Sequence, residues 1–299
     1  MTKDLDKYFD YLLTEKRYSV LTVDSYRNDL YQFLDYLQIY DIRHWKQVDH
    51  LIIRSWIAES IEKGLKKTTV NRKISSLKSF FKYLRKNNII EHNPCLKIKQ
   101  IKKPKRNPVF IPEKDIHNIF HNLNPSEQLP FFEFQKYVIL ELLYATGIRR
   151  SELIQLKKSN VLLSEKKIKV LGKRNKERFI PLIDTITNIL KKYEAYPEFK
   201  SSSCENYFFN SQLQPWSPKQ IYNIVKTELS KCTTIEKKSP HVLRHTFATH
   251  LLNEGADINA IKNLLGHANL AATQIYTHNS YEKLKNIYKI AHPRSNKKT

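Results

Sequence analysis

Glycine is scarce in this chain, with five in 299 residues, and apolar residues recur mostly at helical spacing. Together these point to a mainly α fold. Cysteine is equally sparse. Cys95, Cys204 and Cys232 are isolated and odd in number, which argues against a disulfide framework and fits a reducing cytosol, with buried structural thiols expected. No apolar run approaches the roughly 18–20 residues that span a bilayer. The N-terminus, MTKDLDKYFDYLL, is acidic and amphipathic and lacks a signal-peptide core. A cytoplasmic protein with no membrane partner is therefore expected. There is no HExxH pattern, paired cysteine, internal repeat or low-complexity tract. His241 and His245 are i,i+4 neighbours that His267 could join, but Arg244 between them would place a positive charge beside an ion. No metal or other cofactor is expected. Acidic residues are also in short supply, 29 against 52 basic ones, for a formal charge of +23. Such an excess implies a polyanionic partner, most simply nucleic acid, although a ribosome or an anionic membrane would use the same charge.

What is present is enough for two globular domains, since 299 residues at 40% hydrophobic content can build two cores. Residues 1–93 read as a helical domain with helices near 2–15, 22–39, 49–62 and 68–87. In the last of these Val70, Ile74, Leu77, Phe81 and Leu84 form one apolar stripe, and Thr68 is the expected N-cap. Residues 94–111 carry prolines at 94, 104 and 108 and a KKPKR run, and read as an extended basic linker following DNA backbone. Residues 112–299 read as a second domain, with helices near 112–123, 131–146, 218–231, 241–254 and 257–265. Gly255 and Gly266 stop the last two. Segments 167–171 and 178–182 flank a polar turn and read as a hairpin, giving a small antiparallel β-sheet in a mainly α chain.

The basic residues cluster. Glu91 is the only acid between Glu62 and Glu113, whereas the same span holds Lys66, Lys67, Arg72, Lys73, Lys78, Lys102, Lys103, Lys105 and Arg106 among its cations. A solvated helix face normally mixes signs. This one is expected to lie against phosphates, with Arg174 as a further DNA contact.

Six residues in the second half can be assembled into one phosphate-cutting site: Arg149, Lys173, His241, Arg244, His267 and Tyr276. They sit in ATGIRRSEL, GKRNKER, HVLRHTFATHLL and LGHANLAATQIYTH. Two guanidiniums can bind non-bridging phosphate oxygens and offset the charge that grows on a phosphorane. Tyr276 can attack phosphorus, with His241 as base and Lys173 as acid on the leaving oxygen, while His267 donates to the phosphate. Each has a duller reading: Lys173 among Arg174, Lys176 and Arg178 could be one of several phosphate contacts, and Tyr276 is one of 17 tyrosines. Arg150 reads as a surface charge, Glu152 as a group that orients an arginine or caps a helix, and His245 and His250 as packing or hydrogen-bonding groups.

These boxes resemble the tyrosine site-specific recombinase (phage integrase) family, and within it the Xer recombinases, a lone-Xer (XerH-like) system included. The Arg–Lys–His–Arg–His–Tyr order is met residue by residue; Arg174 departs from the glycine that often follows the catalytic lysine. The resemblance implies a helical SAM-like core-binding domain followed by a tyrosine-recombinase catalytic domain with a subunit-docking tail. It also implies a 3′-phosphotyrosyl intermediate, a Holliday junction, and no need for ATP or metal. The implied partners are double-stranded DNA with an inverted-repeat site, a homotetramer on two such sites, and a septal DNA translocase in chromosome- or plasmid-dimer resolution. A mobile-element integrase or invertase, a type IB topoisomerase and a non-catalytic DNA-binding protein are the alternatives on the same scaffold.

Overall fold

The computed structural model describes residues 1–102, 109–123, 129–172 and 177–266. The chain divides into two units, Met1–Arg106 and Asn107–Thr299.

The first unit is helical. Helices α1 (Thr2–Thr14), α2 (Val20–Ile39), α3 (His50–Glu62) and α4 (Lys67–Lys86) enclose one core, with short 3-10 turns at Trp45–Gln47 and Pro94–Lys97. In α1 the residues Leu5, Tyr8, Phe9 and Leu12 recur at helical spacing and are buried. The stripe expected in α4 is buried in full, and Phe80 joins it. Aromatic rings fill the centre: Tyr8 meets Phe80 at 5.2 Å, Trp45 meets Phe80 at 4.8 Å and Phe33 meets Trp56 at 4.9 Å between centroids. Each such side chain contributes on the order of 1.5–3 kcal/mol on burial, which is why a four-helix unit of this size can hold its shape.

Three expectations need correcting here. Helix α4 starts at Lys67, one residue earlier than expected, and its N-cap Lys66 makes no side-chain cap bond, so Thr68 lies inside the first turn rather than capping it. Lys73 is not a surface cation. It is 3% exposed, lies over the Trp56 ring at 4.6 Å and donates to Gln32, with Asp29 4.0 Å away. Burial lowers its pKa below the ordinary lysine value, against the pull of Asp29. Its position on α4 places it on the stripe side, so the core takes it despite its charge. The linker expected over 94–111 is also shorter in the structure. Asn93 caps the Pro94–Lys97 turn, Cys95 and Ile98 are buried in the first core, and the Asn71 amide bonds both the N–H and the C=O of Ile101. At the other end Ile111 is buried in the second core.

The second unit is built on α6 (Phe131–Thr146), in which 13 residues are buried. A helix that is apolar on nearly every side belongs at the centre of a domain, and α8 (Asp184–Ala195) and α11 (Pro240–Asn253) pack on it. Helices α5 (Glu113–Leu123), α7 (Arg150–Ile154), α9 (Pro197–Ser201), α10 (Pro218–Cys232) and α12 (Ile258–Leu265) complete the described helices. A three-stranded antiparallel sheet runs β1 (Val161–Leu162), β2 (Lys167–Leu171), β3 (Glu177–Pro181). Its register pairs Ile168 with Ile180 and Val170 with Arg178. Those four side chains therefore share the buried face.

Cys95 is buried and its thiol is pushed up to about 12 by burial, whereas Cys204 and Cys232 are only half-buried, short of the expectation for all three. Among the described residues no helix is long and apolar enough to cross a membrane.

Candidate active site

Helix α6 ends at Gly147, whose φ of +59° turns the chain left-handed. A Cβ there would stand 2.5 Å from a Phe247 ring carbon and 2.7 Å from a Leu265 methyl. Glycine is thus required twice over, for the bend and for the close approach of α11 and α12. Two residues later Arg149 becomes the N-cap of α7, and Glu152 in the first turn closes the cap by accepting the Arg149 backbone N–H at 2.9 Å. The expectation that Glu152 caps a helix and orients an arginine is met in both parts.

The Glu152 carboxylate is 4% exposed and accepts four hydrogen bonds. Besides the backbone bond, Arg149 donates from Nη1 at 2.8 Å. Arg178, from β3, donates in a two-pronged grip at 2.7 and 2.8 Å. Burial alone pushes the Glu152 pKa up, but the bonds and charge of Arg178 and Arg149 outweigh it and hold the carboxyl below its ordinary value. It is ionised at neutral pH.

Arg244 stands one helical turn beyond His241 on α11 and is 8% exposed. Its Nη1 donates to the Gly147 carbonyl and its Nη2 to the Leu265 carbonyl at 2.5 Å. Burial, reinforced by the neighbouring Arg149, lowers its pKa to about 10, still far enough above 7 to leave the guanidinium charged. Arg149 donates from Nη2 to the Gly266 carbonyl at 2.6 Å, and Arg178 from Nε to the Leu264 carbonyl at 3.1 Å. Three successive carbonyls at the end of α12 are therefore each taken by a different arginine. These are groups a helix end leaves without intrahelical partners, and positive charge is favoured there by the helix dipole.

The structure thus brings Arg149 and Arg244 to the same helix end, with His241 exposed in the first turn of α11, after the Ser239 cap and Pro240. Lys173, His267 and Tyr276 lie outside the described residues, although the described chain reaches Gly172 on one side and Gly266 on the other. Arg150 is half-buried and donates to the Pro218 carbonyl at 3.1 Å. His250 is buried between the Tyr144 hydroxyl (3.0 Å) and the Ile111 carbonyl (2.9 Å), a packing and bonding group as expected. Among the described residues no group of three or more His, Cys, Asp or Glu could hold a metal.

Of the expected DNA contacts, Lys66, Lys67 and Lys102 are exposed and Lys78 is half-buried. Arg72 is partly exposed and already donates to Asp29 at 2.5 Å and to the Ser25 carbonyl at 2.8 Å. Lys103, Lys105, Arg106 and Arg174 lie outside the described residues.

A model of the phage integrase family matches residues 109–283, and one of the phage integrase N-terminal SAM-like domain matches residues 5–88. The chain belongs to the phage integrase family. It is 38% identical to tyrosine recombinase XerC of Listeria monocytogenes serotype 4a over 294 residues, 97% of each chain. It is 35% identical to tyrosine recombinase XerC of Bacillus pumilus, over 98% of this chain and 97% of that one. In fold it matches the XerH site-specific recombinase solved on a palindromic difH substrate, with a TM-score of 0.70 at 22% identity, covering 97% of this chain and 84% of that one. The member of this cluster that the sequence did not reveal is Arg178, which the KRNKER run made look like one more phosphate-facing cation. The signal that could have found it is strand alternation: Arg178 shares a face with Ile180, opposite Val170.

Proposed function

We propose that this chain is a tyrosine recombinase of the Xer type that cuts and rejoins DNA at specific sites. The observation that carries the reading is the pair of buried or half-buried guanidiniums, Arg149 and Arg244, fixed on the carbonyls of Gly147, Leu265 and Gly266, with His241 one helical turn before Arg244 on α11. Two cations held so rigidly can bind the non-bridging oxygens of a phosphodiester and stabilise the extra negative charge of a phosphorane without reorganising. The likeness to tyrosine recombinase XerC over nearly the whole length supports the same reading.

In this mechanism the Tyr276 oxygen attacks phosphorus and forms the P–O bond of a 3′-phosphotyrosyl intermediate. His241 receives the phenolic proton. The P–O5′ bond breaks, and Lys173 gives the leaving oxygen its proton. His267 donates to a non-bridging oxygen. The 5′-hydroxyl of a second strand then reverses these steps and frees Tyr276, so the energy of the broken ester is retained and no ATP is consumed. Repeating the exchange on the other strand pair passes through a Holliday junction. The Xer likeness favours resolution of chromosome or plasmid dimers in the cytoplasm, with four copies on two inverted-repeat sites and a septal DNA translocase as partner.

A nicked suicide substrate tests this directly. The wild-type chain should accumulate a covalent adduct, and Tyr276→Phe should bind the same DNA with nearly unchanged affinity yet form none. An adduct formed by the phenylalanine variant would overturn the assignment.

A further inference from the structure

Arg178 has no part in the chemistry above, yet it is 7% exposed, charged, and bonded both to Glu152, which Arg149 shares, and to the Leu264 carbonyl, next to the one that Arg244 takes. We propose that Arg178 is a positioning residue of the phosphate site. It neutralises Glu152 and pins the end of α12, so that Arg149 and Arg244 keep their charge and their places for the transition state. The inference rests on reading those two arginines as the phosphate clamp.

Two observations carry it independently. The first is charge. Arg149, Arg178 and Arg244 face one carboxylate, Glu152, so the described cluster holds two net positive charges. A phosphodiester carries one negative charge and a phosphorane two. Without Arg178 the carboxylate would be balanced by Arg149 alone, and the cluster would match the ground state rather than the transition state. The loss then falls on the rate rather than on binding. The second is geometry. Arg178 spans Glu152 at the start of α7 and the Leu264 carbonyl at the end of α12, and its guanidinium lies flat under Gly266. A Cβ at Gly266, where φ is +64°, would stand 3.2 Å from three guanidinium atoms. Arg178 thus fixes the backbone whose carbonyls hold Arg149 and Arg244, and from which the chain continues into His267.

Full-length variants on the nicked suicide substrate test the proposal. Arg178→Met should bind the DNA within about threefold of wild type but form the adduct about 100-fold more slowly, the size of loss that a misplaced clamp produces. Adding Glu152→Gln to Arg178→Met should recover about tenfold of that rate, because the uncompensated carboxylate is gone. A role confined to folding would make the two losses accumulate instead, and that result overturns the proposal, as does an Arg178→Met chain that cleaves at the wild-type rate. If thermal melting shows that Arg178→Met does not fold, Arg178→Lys carries the test. It keeps the charge but not the two-pronged grip, so it should cleave about tenfold more slowly at unchanged affinity, and wild-type cleavage overturns the proposal. Failure of the wild-type chain to form any adduct would remove the Tyr276 reading and this inference with it. Normal cleavage by the folded variants would remove this inference alone.

Discussion

Glu152 ties together a backbone N–H and two guanidiniums with one carboxylate, and its titration should be visible in the stability of the whole chain. Its folded pKa lies below the ordinary glutamate value, because the Arg178 and Arg149 bonds outweigh burial. A depressed carboxylate contributes stability that is present above its unfolded pKa and disappears as pH falls through the folded one. Glu152→Gln should therefore be less stable than wild type by about 3–5 kcal/mol at pH 7, the cost of breaking a buried ion pair. The difference should narrow as the pH falls from about 5 to about 3, around the ordinary glutamate pKa. Melting temperatures of the two proteins across that range provide the check, and a gap that stays constant would show that Glu152 is not held ionised by its arginines. The part of this arrangement confined to one turn was legible in the sequence: Glu152 follows Arg149 by three residues at a helix start, where a carboxylate caps and pairs. Arg178 was not legible, because its partners are a helix 26 residues earlier and a carbonyl 86 residues later.

At the scale of elements, most helices whose apolar residues run over several turns were readable, whereas the five-residue helices were not, and neither was α8, whose 12 residues directly follow the hairpin. The stripe of α4 emerges from spacing alone. By contrast β1 has two residues and α7 and α9 have five each, too few to express a period of 2 or 3.6. These short elements nevertheless set the site, since α7 presents Arg149 and Glu152 at the point where α6 stops. That junction depends on Gly147. Replacing it with alanine puts a side chain at φ +59° and drives its Cβ into Phe247 on α11 and Leu265 on α12. The backbone strain costs about 1 kcal/mol and the overpacking about 1–3 kcal/mol more. Gly147→Ala should thus lose about 2–4 kcal/mol in denaturant unfolding. It should also slow cleavage, because the Gly147 and Leu265 carbonyls that hold Arg244 move with the clash. Wild-type cleavage in this variant would separate the α6 terminus from the phosphate clamp.

Across the whole molecule, the formal charge of +23 is the property that the sequence states most openly, yet it does not say which cations face solvent. On α4 the structure separates them. Lys66 and Lys67 are exposed at its start, whereas Lys73, seven residues into the helix, is spent inside the core on Asp29, Gln32 and Trp56. The same residue type should therefore fail in two different ways. When a protein neutralises duplex phosphates, each ionic contact adds about 0.9 to the slope of log affinity against log salt. If Lys66 and Lys67 both lie on phosphates, Lys66→Gln with Lys67→Gln should reduce that slope by about 1.8 and weaken binding at low salt, with no change in melting temperature. Lys73→Met should do the opposite, leaving the salt slope as it is and altering thermal stability, since a buried ammonium with a carboxylate 4.0 Å away is replaced by an uncharged chain. Binding isotherms on a duplex at several salt concentrations, paired with thermal melts, distinguish the two. A slope unchanged by the double variant would take Lys66 and Lys67 off the DNA, and a slope reduced by Lys73→Met would mean that the first unit opens to present its buried lysine to a phosphate.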